Sequence, residues 1–280
     1  MAARLFPLDA YDEPLSPYTA MRERDLVGRE GLFVAEGEVV VRVLVGRSPM
    51  KVRSLLLERR RVEAMADVIE ALPEEVPVFV VPQAVMDEVV GFSIHRGVLA
   101  LGERGEASAP EALVSRGSVF VGLVGLTNHD NVGGIFRNAA AFGVDGVLLD
   151  KETCDPLYRK SIRVSAGTAL VVPFSRCSSA QEMIDVLEAA DVEAIALTPR
   201  GEETLDSLPP AKRALLLGTE GPGLPGAILA RVRRVRIDMA PGLDSLNVAV
   251  TSGIALHEVY RARRATSDGS ASSSKEAPLG

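Results

Sequence analysis

Three separate segments of the chain carry polar side chains of the kinds that bind and activate substrates. They are Asn131-Val-Gly-Gly-Ile-Phe-Arg137, Leu217-Gly-Thr-Glu-Gly-Pro-Gly223 and Ile237-Asp-Met-Ala-Pro-Gly-Leu-Asp-Ser-Leu-Asn247. Each begins at or just after an apolar run typical of a buried strand, and then turns into Gly, Pro and short polar residues. Ligands bind outside the carboxyl ends of the strands in open α/β sheets. The three segments therefore predict one shared site, whose chemistry would come from Arg, Glu, Ser and Asn side chains.

The second segment also contains a literal G-x-G-x-x-G pattern, Gly221-Pro-Gly-Leu-Pro-Gly226, which suggests a dinucleotide site. Two prolines within it remove amide donors that would bind a pyrophosphate. The pattern also follows several strands, whereas the dinucleotide fingerprint opens the first βα unit of a Rossmann fold. We therefore reject this interpretation and take Glu220, a carboxylate at a strand end, as the more informative residue.

The first and third segments each lead into a predicted helix. Arg137 lies on a helix predicted over 132–142, beside small residues that indicate close backbone packing. A helical arginine often extends to solvent or pairs with an acid, but its position next to a strand end favours a functional role. Ser245 is suited to cap the following helix, which leaves Asn247 to serve another purpose.

The composition is typical of a soluble protein large enough for two domains. Of the 280 residues, 47% are hydrophobic and 25% are charged. An uninterrupted apolar stretch of about 18 residues, as a membrane span needs, does not occur, and the first ten residues do not resemble a signal peptide. We expect a cytoplasmic protein without membrane contact.

Metal and redox chemistry are not indicated. The two cysteines, Cys154 and Cys177, have no partners at metal-ligand spacing, and the three histidines are scattered. We expect two reduced thiols and no metal site.

The net charge of −7 argues mildly against a nucleic-acid partner, because phosphate binding needs local positive charge. The basic residues are clustered, however, in Arg59-Arg60-Arg61, Arg231-Val-Arg-Arg-Val-Arg236 and Arg261-Ala-Arg-Arg264. Any one cluster is most often a solvated face. Charge alone therefore leaves the partner open.

Alternating strand and helix patterns predict two α/β domains. Residues 1–105 form the first, smaller domain, residues 106–117 a linker, residues 118–264 the second domain and residues 265–280 a disordered tail. The second domain has continuous apolar strands, which favours a parallel sheet covered on both faces. Its predicted strands are 119–124, 146–149, 194–197, 214–217 and 235–237, and its main predicted helices are 132–142, 180–189 and 248–261.

The three segments, in this order and spacing, resemble the three motifs of the SpoU/TrmH family of RNA ribose 2′-O-methyltransferases, within the SPOUT class. The resemblance covers about residues 118–262. More loosely, Phe33-Val-Ala-Glu-Gly37 and His95-Arg-Gly-Val-Leu-Ala100 are similar to the ribosomal-protein-like substrate-binding domain of members that act on ribosomal RNA. The chain departs from the family at Asn138, where a threonine is usual, and in a last helix with fewer alanines.

The resemblance implies a parallel sheet with a C-terminal trefoil knot, preceded by a smaller α/β RNA-binding domain. It also implies a homodimer that binds S-adenosylmethionine and RNA, most naturally ribosomal RNA, and no metal. The implied catalytic residues are Asn131, Arg137, Glu220, Ser245 and Asn247, and the implied cofactor-binding residues are Leu197, Thr198, Gly218, Ile237, Met239 and Leu246.

The resemblance implies that Arg137 contacts the target 2′-hydroxyl of the ribose and promotes loss of the hydroxyl proton. Asn131 and Asn247 would orient Arg137 and the ribose, and Glu220 would hold an arginine or a backbone amide. Three alternatives stay open at this point: methylation of transfer RNA, methylation of a base, and a non-catalytic RNA-binding or ribosome-assembly factor of the same fold.

Overall fold

The structure, a computed structural model, describes residues 5–19, 27–28, 30–90, 97–207, 211–242 and 245–273. Its strands in chain order are β1 (Leu5–Pro7), β2 (Leu32–Glu36), β3 (Lys51–Glu58), β4 (Val78–Val81), β5 (Val98–Glu103), β6 (Val119–Leu123), β7 (Gly146–Leu149), β8 (Phe174–Arg176), β9 (Glu193–Leu197), β10 (Glu203–Thr204), β11 (Arg213–Leu217) and β12 (Arg233–Arg236).

The α-helices lie between these strands, except for the last helix, which follows the last strand. They are α1 (Glu38–Arg47), α2 (Ala66–Ala71), α3 (Gln83–Val90), α4 (Pro110–Val114), α5 (His129–Ala141), α6 (Arg159–Val164), α7 (Ala180–Ala189), α8 (Gly226–Leu229) and α9 (Val248–Ser273). Short 3-10 helices occupy Glu13–Tyr18, Arg59–Arg61, Glu63–Met65, Thr168–Leu170 and Leu205–Ser207.

The chain divides into two compact units. The first unit is Met1–Ala107 with Asp155–Val171, and the second unit is Ser108–Cys154 with Val172–Gly280. The division differs from the predicted domains at residues 155–171, which belong to the first unit although the sequence pattern assigned them to the second. The physical reason is the contacts that this segment makes with β2 and α1.

A buried ion pair fixes the inserted segment within the first unit. Glu36, at the end of β2, is only 4% exposed, and its Oε2 accepts a hydrogen bond from Nε of Arg159 at 2.9 Å. Near the other end of the segment, Ser48 Oγ donates to the carbonyl oxygen of Leu170 at 2.7 Å. Since a buried carboxylate is costly without a partner, Glu36 requires the segment to be present.

The first unit has a mixed sheet with the strand order β1-β4-β3-β5-β2. Strand β4 pairs in parallel with β1 and β3, whereas β5 pairs antiparallel with β2 and β3. Apolar side chains from the sheet, α3 and the first 3-10 helix form one core, which includes Tyr18, Leu56, Met86 and Leu99. The phenol of Tyr18 shares a hydrogen bond with Ser54 Oγ at 2.7 Å, so its polar end is satisfied inside that core.

The second unit has a seven-stranded sheet in the order β10-β12-β9-β11-β6-β7-β8, and all of its pairings are parallel. Every residue of β6, β7 and β11 is buried, as expected for strands covered on both faces. Helices α4 and α7 share a core with the sheet. Helix α5 buries Val132, Ile135, Phe136 and Ala139, and Phe136 packs edge-on against Phe174 of β8. The predicted α/β class with a parallel sheet is confirmed.

Several predicted boundaries are wrong for physical reasons. The predicted linker contains α4, which begins at Pro110, a residue preorganised for the first helical position, and which buries Leu113 and Val114. The predicted disordered tail is helical as far as Ser273, because an existing helix extends at little cost. Strands β8 and β10 and helix α6 were not predicted, since they are too short to show a period.

Some predictions are not decided by these observations. Residues His95 and Arg96 of the second resemblance, and residues 274–280 of the tail, lie outside the described residues. The trefoil knot stays a prediction. In the part of the chain that the structure describes, no helix has the length and apolarity needed to cross a membrane.

We expect Glu36→Ala to lower the free energy of unfolding by about 3 kcal/mol, because it removes the carboxylate that the partly buried Arg159 contacts. The control is Glu38→Ala, which removes a half-exposed partner of Arg42 in α1 and should cost less than about 1 kcal/mol. Urea denaturation of both variants measures the difference. Equal losses would contradict the role assigned to the buried pair.

Candidate functional site

A large cavity lies where three parallel strands of the second unit end. Leu197, Leu217 and Arg236 are the last residues of β9, β11 and β12, and parallel pairing brings these carboxyl ends to one edge of the sheet. The cavity measures about 1130 Å³. Its wall is formed by residues 197–200, 217–224, 236–242 and 245–248, together with Leu229 and Thr251. We call it the strand-end cavity.

Most of the predicted site residues lie on this wall. The six residues predicted to bind the cofactor line the cavity, and so do three of the five predicted catalytic residues. The six are Leu197, Thr198, Gly218, Ile237, Met239 and Leu246, and the three are Glu220, Ser245 and Asn247. Asn131 and Arg137 are not among the lining residues.

The glycines of the second segment are required by a tight turn. The amide of Gly223 donates to the carbonyl oxygen of Thr219 at 3.1 Å, and Gly221 and Gly223 have φ values of +93° and +72°, which favour glycine. A Cβ atom on Gly218 would lie 2.5 Å from the backbone of Gly223. The Gly223 amide is therefore used within the turn, which agrees with our rejection of a dinucleotide fingerprint.

The three predicted segments meet at the carboxylate of Glu220. Its Oε1 accepts hydrogen bonds from Nδ2 of Asn131 and Nδ2 of Asn247, both at 2.9 Å. Nδ2 of Asn247 also donates to Oδ1 of Asn131 at 2.9 Å. Asn131 is 4% exposed, so its amide depends on these partners. Glu220 was predicted to hold an arginine or a backbone amide. This prediction is wrong, because Glu220 holds the side-chain amides of two asparagines.

Asn247 also begins helix α9. Its Oδ1 accepts hydrogen bonds from the amides of Ala249 at 2.9 Å and Val250 at 3.3 Å, which satisfies donors that a helix start leaves open. The interpretation of Ser245 as the helix cap is therefore wrong, because the cap lies two residues later. Ser245 is exposed on the cavity wall. Asn247 thus belongs to the polar network of the site and also caps helix α9.

Helices α5 and α9 pack closely through small residues. A Cβ atom on Gly134 would lie 2.9 Å from Cβ of Ala249. One helical turn further, Nδ2 of Asn138 donates to the carbonyl oxygen of Ala249 at 2.7 Å and to Oγ of Ser252 at 2.8 Å. Asn138 is the position at which the chain departs from the resembling family. The side-chain amide of Asn138 thus connects α5 to α9, in addition to the hydrogen bond between Asn131 and Asn247.

Arg137 occupies a different face of α5. Its side chain is exposed, as are Ala140 and Ala141 on the same side of the helix. Within the described residues, the guanidinium forms no hydrogen bond or ion pair. The structure therefore joins Asn131, Glu220 and Asn247 but leaves Arg137 away from the cavity wall of its own chain.

The basic run at β12 is neutralised by acidic residues. Arg231 pairs with Asp185 and Glu188 at 2.7 and 2.9 Å. Arg233 pairs with Glu193 at 3.0 Å and with Glu203, and Arg234 pairs with Glu202. Arg236 pairs with Asp238 at 2.9 Å. Although the run looks strongly positive in the sequence, its arginines are held by carboxylates from neighbouring elements.

The described residues contain no cluster of His, Cys, Asp or Glu side chains arranged to hold a metal ion. Cys177 is buried, and this burial, reinforced by the nearby carboxylates of Glu182, Glu111 and Asp150, raises the pKa of its thiol to about 12. A thiol with so high a pKa is a poor nucleophile at neutral pH. Cys177 therefore serves the core of the second unit.

We expect Gly134→Ala to lower the free energy of unfolding by about 1 to 2 kcal/mol, although alanine favours helices, because the new methyl group meets Ala249. Adding Ala249→Gly removes that clash and should recover part of the loss. The control is Gly46→Ala in α1, where the added methyl meets nothing within 4 Å and should stabilise the protein slightly. Denaturation of the single and double variants gives the coupling energy, and a value near zero would contradict the close packing.

The sequence is similar to known proteins of one family. The family model described as the SpoU rRNA Methylase family matches residues 118–257. An uncharacterized tRNA/rRNA methyltransferase of Mycobacterium tuberculosis (strain ATCC 25618 / H37Rv) is 36% identical over 249 residues, which cover 86% of this chain and 84% of that protein. The 23S rRNA (guanosine-2′-O-)-methyltransferase RlmB of Escherichia coli (strain K12) is 27% identical over 80% of this chain and 96% of its own length.

Solved structures show the same fold. The AdoMet-bound rRNA methyltransferase from Sinorhizobium meliloti superposes with a TM-score of 0.79 at 24% identity, over 92% of this chain and 98% of that chain. The family model covers half of the sequence, and the mycobacterial relative aligns along most of it. The chain therefore belongs to the SpoU rRNA methylase family.

Proposed function

We propose that the protein transfers a methyl group from S-adenosylmethionine to a ribose 2′-hydroxyl of a structured RNA, most naturally ribosomal RNA. The observation that carries the proposal is the contact of Asn131, Glu220 and Asn247 beside the strand-end cavity, since it unites the three segments that the resemblance to SpoU/TrmH enzymes assigns to catalysis. The name of RlmB, with its 2′-O specificity on 23S ribosomal RNA, and the AdoMet bound in the Sinorhizobium protein support it.

The strand-end cavity fits this cofactor. Its wall combines backbone turns at strand ends with the apolar side chains of Leu197, Ile237, Met239 and Leu246, a surface suited to a flat, polar-edged adenine ring. Its volume, about 1130 Å³, lies above the range of about 300 to 1000 Å³ usual for small-molecule pockets. Bound S-adenosylmethionine would supply an electrophilic methyl group, and space would remain for the target nucleotide.

The polar network would orient groups rather than exchange protons. Asn131 and Asn247 each give an amide hydrogen to Glu220. Asn247 gives its other amide hydrogen to Asn131, and its Oδ1 accepts hydrogen bonds from the first amides of α9. The network therefore fixes the backbone that carries Glu220 and Asn247 on the cavity wall. A wall fixed in this way would hold the cofactor and the ribose in one pose, and positioning of this kind supplies much of the acceleration of a bimolecular transfer. Glu220 thus acts by holding the two amides.

Arg137 would contact the 2′-hydroxyl of the target ribose. A guanidinium stays protonated in proteins, so Arg137 stabilises the negative charge that develops on the oxygen as its proton leaves. The proton passes to water or to an RNA phosphate. The exposed guanidinium, free of acidic partners among the described residues, is available for this contact.

A homodimer is part of the proposal. Arg137 lies off the cavity wall of its own chain, on an exposed face of α5 with Ala140 and Ala141. Helix α9 exposes Val250 and Ile254, by 52% and 39%. They lie four residues apart on one side of the helix, and adjoining exposed apolar residues can form part of an interface. A second copy covering these helices would bury the apolar residues and bring an Arg137 to each cavity.

The first unit is proposed as the RNA substrate-binding domain. Strands β1, β3 and β4 are parallel, so their carboxyl ends share one edge. The run Arg59–Arg61 follows β3 at this edge, beside a cavity of about 330 Å³ that Arg60 and Arg61 help to line. The Nε of Arg60 pairs with Glu58 at 3.2 Å, but the side chain is 78% exposed. Its other guanidinium nitrogens could therefore reach a phosphate, which positions RNA without reading its sequence.

We expect Arg137→Ala to lower kcat by about 100-fold to 1000-fold while the Kd for S-adenosylmethionine, measured by calorimetry, stays unchanged. Arg116→Ala, which removes an exposed arginine of the same unit away from the cavity, is the control and should keep full activity. The assay uses total RNA from a strain that lacks the gene, followed by nucleoside digestion and mass spectrometry.

The same assay separates the alternatives. A methylated base in place of a methylated ribose would overturn the 2′-hydroxyl assignment, and methylation confined to transfer RNA would exclude ribosomal RNA. Absence of S-adenosylmethionine binding by the wild-type protein would favour a non-catalytic assembly factor. Substantial turnover by Arg137→Ala would contradict the role of Arg137.

We expect Ile254→Arg to convert a dimer into a monomer in light-scattering measurements, because an interface that buries an unpaired charge is strongly destabilised. Methylation should fall in parallel, since each site would lose the Arg137 of the second copy. Val39→Arg, at a 64% exposed valine of α1, is the matched control and should remain dimeric. A wild-type protein that is monomeric at assay concentration would refute this arrangement.

A further inference from the structure

Among the described residues on the wall of the strand-end cavity, four side chains are charged, and three of them already have partners. They are Arg200, Glu220, Arg236 and Asp238. Arg236 and Asp238 pair with each other at 2.9 Å, and Glu220 accepts the amides of two asparagines. Among the described residues, Arg200 has no carboxylate, carbonyl or ring partner for its guanidinium. It is therefore the one uncompensated cation among the described residues of this wall.

The turn that carries Arg200 is firmly held. The amide of Gly201 donates to the carbonyl oxygen of Thr198 at 3.0 Å, and the amide of Thr198 donates to Val235 of β12 at 2.9 Å. A Cβ atom on Gly201 would lie 2.3 Å from the backbone of Val235, so this glycine allows the turn to lie directly against β12. Arg200 thus stands exposed on a fixed backbone at the rim of the cavity.

The acidic residues that follow Arg200 do not neutralise it. Glu202 and Glu203 come two and three residues later, but they pair with Arg234 and Arg233 on β12. The arginine run of β12 therefore occupies the nearest carboxylates in the sequence and leaves the charge of Arg200 available. An exposed arginine can bind a phosphate through two parallel N–H···O hydrogen bonds.

We propose that Arg200 binds a backbone phosphate of the RNA substrate at the rim of the strand-end cavity, next to the nucleotide that enters it. The inference rests on the proposed function, because it takes RNA as the substrate. Two observations favour phosphate over the carboxylate of the cofactor. Arg200 is exposed at the rim, and the cavity exceeds the size that a single small ligand usually needs.

The test compares Arg200→Ala, Arg200→Lys and the control Arg116→Ala, which removes the same charge from an exposed site outside the cavity. The probe is a fluorescein-labelled single-stranded oligoribonucleotide, titrated between about 50 and about 200 mM salt, the range over which phosphate contacts weaken strongly. Calorimetry with S-adenosylmethionine is run on each variant. Methylation of total RNA from the strain that lacks the gene is measured at saturating cofactor.

We expect Arg200→Ala to raise the Kd for the oligoribonucleotide about tenfold at low salt and to reduce the salt slope by about 0.7, the value for one phosphate on a single strand. In the methylation assay, the KM for RNA should rise while kcat changes little. Arg200→Lys should retain most of the salt slope, because it keeps the charge. Arg116→Ala and the affinity for S-adenosylmethionine should match the wild type.

Two results would overturn this inference. Unchanged RNA affinity and salt slope in Arg200→Ala would exclude a phosphate contact, and a weakened S-adenosylmethionine affinity with normal RNA binding would assign Arg200 to the carboxylate of the cofactor. Failure of the proposed function looks different. In that case the wild-type protein would transfer no methyl group, whether or not the RNA affinity depended on Arg200.

Discussion

The site of this protein depends on one carboxylate oxygen. Oε1 of Glu220 receives the side-chain amides of Asn131 and Asn247, which come from residues more than a hundred positions apart. Without it, the buried amide of Asn131 would lose a hydrogen-bond acceptor and the start of α9 would lose its link to the β11 turn. Because a buried polar group without partners is costly, the network favours one arrangement of the three segments. Packing of α5 on α9 and the shape of the strand-end cavity follow from that arrangement.

Much of the second unit could be predicted from its sequence. Strand β7 and helix α7 have the predicted bounds, because a continuous apolar run and a 3.6-residue period are local signals. The three segments also meet as predicted, since parallel strands share the edge at which they end. The apolar pattern could not predict the short elements, such as α6 and β8. Whether these elements form depends on contacts with residues that are distant in the sequence.

The roles of the arginines also could not be predicted from the sequence alone. The run from Arg231 to Arg236 looks like a nucleic-acid surface in the sequence, yet its arginines meet carboxylates contributed by α7, β9 and the segment around β10. Conversely, Arg200 is a single unremarkable residue in the sequence, and the structure places it on the cavity wall, with no carboxylate partner among the described residues. The role of an arginine follows from which carboxylates other elements bring to it, so counting charges along a chain misjudges both cases.

The insertion of residues 155–171 into the first unit has a consequence for protein synthesis. A domain that ended at residue 105 could fold as soon as it left the ribosome. This unit instead needs Arg159 for its buried Glu36, so its fold stays incomplete until 171 residues have emerged, by which time β6 and β7 have also been made. The first unit therefore cannot be completed before part of the second unit has been made, and a gene fragment that encodes only the first hundred residues would leave the buried carboxylate of Glu36 without its arginine partner.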